Sequence, residues 1–351
     1  MTVQDSLIPE EESLVAAQMG VVDVIIAAWN RADTIERAIR SVGSEAAVRS
    51  VIVVDDASGD DTASIAERLR DELPKLKVLR LTHNGGPSAA RNVAIAQSKA
   101  DWIAILDGDD YQLAGRFDRL LAAAGDADFI ADDLLVIDEN PAPGIGPQPL
   151  LQIDASWPDR VTLADFALGN ISRRGRNRRE MGFLKPLMRR AFLKQHHLAY
   201  DEAVRLGEDF LLYAGALAAG ARFRLLPAAG YVAVQRATSL SGRHRRVDLE
   251  ALLHGDRQLL ALPNLQPAER RALTQHCLHI EGKVRWLLMI EAVKRRDIAG
   301  CLETFKAPPV VGLDLLGKLT EQLYLRGSRR LRWSFGLRDH AQTGLEQRDA
   351  R

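Results

Sequence analysis

The chain has 351 residues, 46% of them hydrophobic and 27% charged, which is enough for one large or two ordinary domains with a sizeable core. Lys and Arg total 47 and Asp and Glu total 47, so the net charge gives no reason to expect a nucleic-acid partner. Two cysteines, Cys277 and Cys301, are too few for a disulfide framework or a four-cysteine zinc site, and we expect them to be reduced. No apolar run approaches the ~20 residues that span a bilayer, and residues 1–20 lack the features of a secretion signal, so we expect a cytoplasmic protein.

Strand and helix patterns alternate through the first third of the chain. After an N-terminal extension at 1–20, apolar runs and helical spacing predict a strand at 21–28, a helix at 33–42, a strand at 50–54, a helix at 62–73, a strand at 77–81, a helix at 88–97 and a strand at 102–106. The connections are too long for hairpins, so we predict an α/β fold with a mainly parallel sheet covered by helices. In such sheets, ligands bind beyond the carboxyl ends of the strands.

The fourth of these strands ends in acidic residues. Asp107, Asp109 and Asp110 stand within four residues, with Gly108 between them. Carboxylates so close to a buried strand repel one another unless a cation lies among them, and Mg²⁺ or Mn²⁺ prefers oxygen ligands and can bridge to substrate phosphates. Gly108 lets the backbone approach a ligand closely. An acidic turn that caps a helix starting near Leu113 is the competing interpretation, and these residues alone do not decide between the two.

Two other predicted strands also end in polar residues. Asn30 follows the first strand, and Asp55 and Asp56 end the second. Because the carboxyl ends of parallel strands meet at one edge, these side chains and residues 107–110 are predicted to converge, which favours a ligand site over surface turns. The first strand is not followed by the Gly-rich turn of dinucleotide sites, and neither a P-loop nor a Gly-x-Ser-x-Gly elbow occurs, which disfavours NAD enzymes and P-loop ATPases.

Three stretches of the second half carry charge patterns. Residues 172–179 hold five arginines, typical of either a phosphate-binding flap or a solvated basic loop. Glu208 and Asp209 open a predicted helix, where they either complement the helix dipole or, if that turn faces the acidic edge, supply a general base. Residues 243–351 are predicted to be mostly helical. Their segment 324–338 mixes arginines with aromatic residues, which favours contact with an anionic membrane surface or a tail helix docked on its own protein.

Several motifs together resemble, in order along the chain, those of the inverting family 2 glycosyltransferases, which have the GT-A nucleotide-sugar transferase fold. They are VIIAAWN at 24–30, VVDDASGDDT at 53–62, NGGPSAARN at 84–92, LDGDD at 106–110 and GED at 207–209. The resemblance covers residues 21–242, and 182–220 is further similar to exopolysaccharide glucosyltransferases of the succinoglycan kind. It implies a nucleotide-sugar half at 21–137, an acceptor half at 138–242 and a separate helical region at 243–351.

The resemblance implies roles in donor binding. Nucleotide-sugar contacts would fall to Ala28, Asn30, Asp55, Asp56, Arg91, Asp107, Gly108 and Arg236. Asp56, with Asp55 nearby, would contact the uracil or other base, and Asp107 would hold the ribose or assist the metal. Asp109 would ligate Mn²⁺ or Mg²⁺ on the diphosphate. Ala28 is a departure, because the family usually has Pro before an aromatic residue there.

On the acceptor side, the resemblance makes Asp209 the base that deprotonates the acceptor hydroxyl and Glu208 its neighbour. The family often shows a Tyr-x-x-x-His pattern whose His lies near the metal. Here Tyr231 is followed by no such His, so the third metal-side contact would fall to Arg236 or His244.

The implied function is a metal-dependent hexosyltransferase. It would move a sugar, which we expect to be glucose, from a UDP-sugar such as UDP-glucose to a lipid-linked or polysaccharide acceptor in bacterial-type exopolysaccharide assembly, at the inner face of the cell membrane. Two alternatives stay open. A sugar nucleotidyltransferase would share the sheet but normally has a Gly-rich, basic stretch after the first strand, which is missing here. A non-catalytic nucleotide-sugar-binding protein would lack metal or base carboxylates, whereas Asp109 and Asp209 are present.

Overall fold

The computed structural model describes residues 21–154, 157–171, 181–236 and 245–334, with side chains described as far as residue 322. The strands are β1 (Val22–Ala28), β2 (Val48–Asp55), β3 (Leu76–Arg80), β4 (Trp102–Ile105), β5 (Tyr111–Gln112), β6 (Phe129–Asp132), β7 (Leu135–Asp138), β8 (Gln148–Pro149), β9 (Arg160–Val161), β10 (Leu187–Arg189), β11 (Phe223–Leu226) and β12 (Tyr231–Gln235). The α-helices are α1 (Ile35–Gly43), α2 (Thr62–Arg68), α3 (Pro87–Gln97), α4 (Arg116–Ala124), α5 (Leu163–Gly169), α6 (Arg190–Gln195), α7 (Glu208–Ala218), α8 (Arg246–Leu260), α9 (Pro267–Arg295), α10 (Ile298–Glu303) and α11 (Pro309–Ser334).

The main sheet has the strand order β3-β2-β1-β4-β10-β6-β11-β9. β3, β2, β1 and β4 run parallel, as do β6 and β11, whereas β10 lies antiparallel between β4 and β6, and β9 is antiparallel to β11. The prediction of a mainly parallel sheet covered by helices is confirmed. The ends of the first four strands fall within two residues of their predicted positions.

Apolar runs explain why these strands form the core. Ile25 on β1 lies between Ile52 on β2 and Ile105 on β4, and the three residues are at most 1% exposed. Burying each such side chain stabilises the fold by ~1.5–3 kcal/mol. α1 buries Ile35 and Ile39 from one face, in agreement with the helical spacing of its sequence.

The apolar run at 129–136 is divided between two sheets. β6 belongs to the main sheet, and β7 belongs to a small sheet of order β5-β12-β7-β8. The break coincides with two buried carboxylates. Asp132 pairs with Arg116 at 2.7 Å, and Asp133 accepts the Leu151 N–H at 2.8 Å. The chain leaves the main sheet at these two acids, whose partners lie outside the strand.

Helices α8 and α9 pack against each other and cover α7 and α5. Leu252 of α8 lies against Gly207, the residue before α7, and His276 of α9 stacks on Phe210 of α7 with ring centroids 4.1 Å apart. His276 also contacts the fully buried carboxylate of Asp256 at 2.9 Å. The helical region therefore shares one hydrophobic core with the sheet and braces the helix that begins with the Glu208–Asp209 pair.

None of the helices in the described ranges combines the length and apolarity that a membrane crossing requires.

Candidate active site

The ends of β1 and β2 are linked by hydrogen bonds among the residues that follow them. The Asn30 N–H donates to Ser58 Oγ at 2.9 Å, and Asn30 Oδ1 accepts the Gly59 N–H at 2.9 Å. Asn30 has a positive φ of 51°, a conformation that Asn adopts more readily than most residues. The Ala28 carbonyl accepts the Asp56 N–H at 2.8 Å. Ala28, Asn30 and Asp56 therefore share one edge of the sheet, as predicted.

The carboxylate of Asp56 is already hydrogen-bonded within the protein. Its two carboxylate oxygens accept the N–H groups of Gly85 and Gly86, each at 2.8 Å, and thereby hold the loop that leads into α3. Residue 86 has a φ of +89°, a backbone conformation that glycine adopts without strain. The predicted contact of Asp56 with a nucleotide base stays a prediction.

Asp55 keeps one oxygen unpaired. Its Oδ2 accepts the Ser58 N–H at 3.3 Å and lies 3.4 Å from Arg80 Nε. Its buried Oδ1 has no hydrogen-bond partner among the residues that the structure describes. A buried acceptor without a partner is costly, so a donor group from a ligand would be stabilised here.

Arg91 of α3 joins the donor edge to α7. Its Nη2 donates to Asp107 Oδ1 at 2.8 Å, and its Nη1 donates to Glu208 Oε1 at 2.7 Å. Arg91 is 4% exposed, and its guanidinium lies 5.2 Å from the centre of the Tyr200 ring. The structure thus brings together four predicted residues of distant sequence: Arg91, Asp107, Glu208 and Asp209.

Lys185 forms a second cationic bridge, which the sequence analysis did not identify. Its ammonium lies 2.9 Å from Asp107 Oδ2 and 2.7 Å from Asp209 Oδ2. Tyr200 donates its hydroxyl to the other oxygen of Asp209, at 2.9 Å. Burial opposes the charge of Asp107, but Lys185 and then Arg91 outweigh it and hold its pKa well below the usual range. Glu208 differs, because burial raises its pKa despite the contact with Arg91.

A signal for Lys185 exists in the sequence. It is the single charged residue within the segment Met181-Gly-Phe-Leu-Lys-Pro-Leu-Met188, and a charge in so apolar a segment requires a partner when it is buried. The segment alone does not say which carboxylates pair with it. Tyr200 has no comparable signal.

The other two acids of the turn after β4 have different surroundings. Asp109 has a side chain 23% exposed and lies 3.4 Å from Arg31 Nη2. Burial, followed by repulsion from Asp107, raises its pKa. Asp110 accepts the Tyr231 hydroxyl and the Val234 N–H, both at 2.9 Å, and burial with the two neighbouring acids raises its pKa to about 7.

The donor set at this turn fits a divalent cation through Asp109. Within the described residues, His, Cys, Asp and Glu side chains do not form a group of three that could hold a metal ion by themselves. Asp107 is already bound by two cations at 2.8–2.9 Å, whereas Asp109 has the longer contact with Arg31, 3.4 Å, and its pKa is raised in spite of it. A metal cation would stabilise the charged form of Asp109, and one carboxylate together with phosphate oxygens and water is usual for Mg²⁺. His244 lies outside the described residues, as does the arginine-rich segment 172–179.

Gly108 and Arg236 flank the turn. A Cβ built on Gly108 would lie 3.5 Å from the Ala27 carbonyl oxygen and 3.6 Å from Ala28 Cβ. The position that a side chain would take at residue 108 therefore faces the end of β1. Arg236 lies 3.2 Å from both an Asp33 and a Glu139 carboxylate oxygen. Its charge also acts on Asp109.

The comparison with known proteins decides the family. The family model described as glycosyl transferase family 2 matches residues 23–203. This chain belongs to that family. The family 2 glycosyltransferase is also 46% identical over 270 residues to the succinoglycan biosynthesis protein ExoU of Rhizobium meliloti (strain 1021), covering 77% of this chain and 78% of that protein. A shorter match, 36% identical over 94 residues, covers 26% of this chain and 37% of the Escherichia coli UDP-Glc:alpha-D-GlcNAc-diphosphoundecaprenol beta-1,3-glucosyltransferase WfaP.

Solved structures share its fold. The crystal structure of Staphylococcus aureus TarS 1-349 in complex with UDP-GlcNAc superposes with a TM-score of 0.59 at 19% identity, covering 82% of this chain and 90% of that one. The mannosyltransferase PcManGT from Pyrobaculum calidifontis, in complex with GDP-Man and Mn²⁺, gives a TM-score of 0.55 at 16% identity, covering 90% and 84%. Both are glycosyltransferases, and the GT-A fold expected from the motifs is confirmed.

Proposed function

We propose that this family 2 glycosyltransferase transfers glucose from UDP-glucose to a lipid-linked saccharide in exopolysaccharide assembly, with inversion at the anomeric carbon. The observation that carries the proposal is the buried network in which Arg91 and Lys185 join Asp107, at the donor edge, to Glu208 and Asp209 at the start of α7. In the proposed mechanism, Asp107 binds the donor and Asp209 is the base, and both carboxylates lie within 4 Å of the same two cations.

On the donor side, Asp55, Asp107 and Asp109 have separate roles. The unpaired Oδ1 of Asp55 would accept a hydrogen bond from the uracil N–H, and Asp107 would accept one from the ribose. Asp109 would hold Mn²⁺ or Mg²⁺ on the diphosphate, and Arg236, or His244 outside the described residues, would contact the leaving diphosphate. That cation supplies Lewis-acid stabilisation of the charge that develops on the leaving UDP.

On the acceptor side, Asp209 accepts the proton. The acceptor oxygen forms a bond to the anomeric carbon, the bond from that carbon to the diphosphate oxygen breaks, and the hydroxyl proton moves to Asp209. The base has to reach the hydroxyl within hydrogen-bond distance, about 2.6–3.2 Å. Glu208 lies beside it with a side chain 13% exposed, compared with 9% for Asp209. The kcat values of the variants E208Q and D209N test which of the two carboxylates is the base. The larger loss is expected for D209N.

The relatives support the choice of substrates. The name of WfaP specifies UDP-Glc as donor and a diphosphoundecaprenol-linked sugar as acceptor, and ExoU is named for succinoglycan biosynthesis. By analogy with WfaP, we infer that the acceptor of this chain is a saccharide on a lipid diphosphate.

Calorimetric binding tests the donor site. UDP, UDP-glucose and UDP-galactose would each be titrated into the wild type and D109A, with and without Mn²⁺. We expect UDP-glucose to bind the wild type at least tenfold more tightly with Mn²⁺ than without it. D109A should lose that difference, because Asp107 is held by Arg91 and Lys185, which leaves Asp109 as the partly exposed acid able to bind the cation.

Two results would contradict the proposal. Equal binding with and without Mn²⁺ would remove Asp109 from its role. The absence of binding for every uridine nucleotide would redirect the assignment to another nucleotide sugar. R80A serves as a control, since the Arg80 side chain is 64% exposed and its Nε lies 3.4 Å from Asp55 rather than at the turn that carries Asp109. This variant can change the overall affinity through Asp55 but should keep the ratio of affinities with and without Mn²⁺.

A further inference from the structure

Lys185 lies between the carboxylates proposed for the donor side and the acceptor side, and the reaction steps proposed above assign it no bond or proton transfer. The ammonium group of Lys185 contacts two carboxylates. They are Asp107, which is proposed to bind the ribose, and Asp209, which is proposed to accept the proton. Lys185 is 5% exposed, so water competes little for either contact. Arg91 also approaches both carboxylates, at 2.8 Å from Asp107 and 3.7 Å from Asp209, so Lys185 is the side chain that lies within 3 Å of both.

The backbone of Lys185 is anchored by a second buried pair. Arg116 donates to the Lys185 carbonyl at 2.6 Å and to Asp132 at 2.8 Å, and Arg116 and Asp132 are at most 1% exposed. Two residues later, β10 begins and pairs with both β4 and β6. The ammonium thus projects from a part of the chain that the main sheet holds in place, which is what precise placement of a functional group requires.

The two oxygens of Asp209 are held by two different donors. Lys185 contacts Oδ2, and Tyr200 donates to Oδ1. Burial and the charge of Asp209 raise the pKa of Tyr200 well above its ordinary value, so its hydroxyl remains a donor. Arg91 is farther away, at 3.7 Å from Oδ1. A carboxylate bound at both oxygens has a fixed plane, and its remaining lone pairs point in fixed directions.

We propose that Lys185 is a positioning residue for the base: its shared ammonium fixes the Asp209 carboxylate relative to Asp107 and hence relative to the anomeric carbon of the bound donor. The inference rests on the proposed function, because it requires Asp209 to be the base. Lys185 itself does not exchange a proton with the substrate.

Kinetics of K185M separate positioning from donor binding. We expect kcat to fall by about 10²-fold, the effect that a misplaced group can have, while the KM for UDP-glucose stays within about threefold, since Asp107 keeps its contact with Arg91. K185R should restore part of kcat because it returns a cation. K185Q provides a second variant of similar length if K185M does not fold, as judged by its thermal unfolding.

A double-mutant cycle tests whether Lys185 acts through Asp209. If it does, K185M/D209N has the same kcat as D209N, because no base remains to be positioned. The matched cycle pairs K185M with D109N, which removes a carboxylate that Lys185 does not contact, and here the two losses should multiply.

The outcomes separate the inference from the proposed function. Multiplying losses in the K185M/D209N cycle, with D209N itself strongly impaired, would overturn the role of Lys185 and leave the base in place. A D209N enzyme with wild-type kcat would overturn the assignment of Asp209 as base, and with it the role of Lys185. An increase in donor KM of more than tenfold in K185M, with kcat unchanged, would place Lys185 in donor binding instead.

Discussion

At the scale of single residues, Asp128 provides a measure of how much one ion pair contributes outside the site. Its oxygens accept the Arg222 Nε, Nη2 and backbone N–H groups at 2.9–3.0 Å. Burial raises the pKa of Asp128, but the hydrogen bonds from Arg222 lower it by a larger amount. The resulting pKa lies below the ordinary 3.8. The pair therefore stabilises the fold above pH 3.8, and this stabilisation is lost as the pH falls through the folded-state pKa.

We expect D128N to reduce the free energy of unfolding by about 1 kcal/mol at pH 7, a modest value because Arg222 is partly exposed. The difference from the wild type should shrink below pH 4 and vanish at lower pH. Urea unfolding at several pH values measures this. D126N is the control: Asp126 pairs with the same arginine from an exposed position, so its effect should be smaller. A D128N effect that is unchanged between pH 7 and pH 3 would contradict the ion-pair explanation.

The residues of the site differ in how far the sequence could predict them. Asp55, Asp107 and Asp109 were identified because each follows a buried strand, and the rule that strand ends converge needs no tertiary information. Lys185 and Tyr200 were not identified, because their contacts with Asp209 depend on segments that are brought together from distant parts of the chain. The internal use of Asp56 also depends on a loop 29 residues away.

At the scale of elements, Gly207 determines how α7 starts. Its φ is +80°, and a Cβ there would lie 3.0 Å from two carbons of Leu252 on α8. An alanine would experience both backbone strain and a close contact, one residue before Glu208. We expect G207A to lose about 1–3 kcal/mol of stability and to lower kcat, because the first turn of α7 carries the candidate base.

Gly220, just after α7, is the matched control for that substitution. It has a similar φ of +90°, but nothing lies within 4 Å of a Cβ built on it. G220A should therefore show only the cost of backbone strain, about 1–2 kcal/mol, with kcat unchanged. Thermal unfolding and steady-state kinetics of the two variants separate the terms. Equal losses of stability and activity in both would mean that the contact with Leu252 has no effect.

The elements also show where sequence patterns stop being informative. Long apolar strands such as β1 and β2 were predicted because their burial on both faces leaves a continuous apolar run. The short strands β5, β8, β9 and β10 have two or three residues each, which is too few to show a period. Their position is set by the strands with which they pair, so the antiparallel insertion of β10 was beyond prediction.

At the scale of the whole molecule, acidic and basic residues are equal in number, 47 of each, so any affinity for an anionic membrane has to come from a local segment. The helix α11 continues to Ser334 and reaches the arginine- and aromatic-rich stretch at 324–338. Its described part has Val310, Leu313 and Leu316 at least 50% exposed. Because the proposed acceptor is lipid-linked, we also propose that the segment 324–338 contacts the membrane surface.

We expect a chain that ends at residue 323 to sediment with vesicles of anionic phosphatidylglycerol at least fivefold less than the full chain, because it lacks the arginines of the segment. Vesicles of zwitterionic phosphatidylcholine serve as the control and should bind both chains weakly. Calorimetric binding of UDP-glucose should be equal for the two chains, which shows that the shortened one is folded. Unchanged sedimentation with anionic vesicles would contradict the membrane role.

The buried network around Arg91 has a consequence for the order of association. Three carboxylates share two cations there, so the network carries one surplus negative charge before any substrate arrives, and Asp109 lies beside it. A nucleoside diphosphate adds further negative charge. Repulsion between like charges weakens as ionic strength rises, so a free nucleotide would enter more readily in salt, whereas a nucleotide already neutralised by a divalent ion would be nearly indifferent to it. If the donor binds at this edge as proposed, the surplus charge of the network would favour the donor form that a divalent ion has already neutralised.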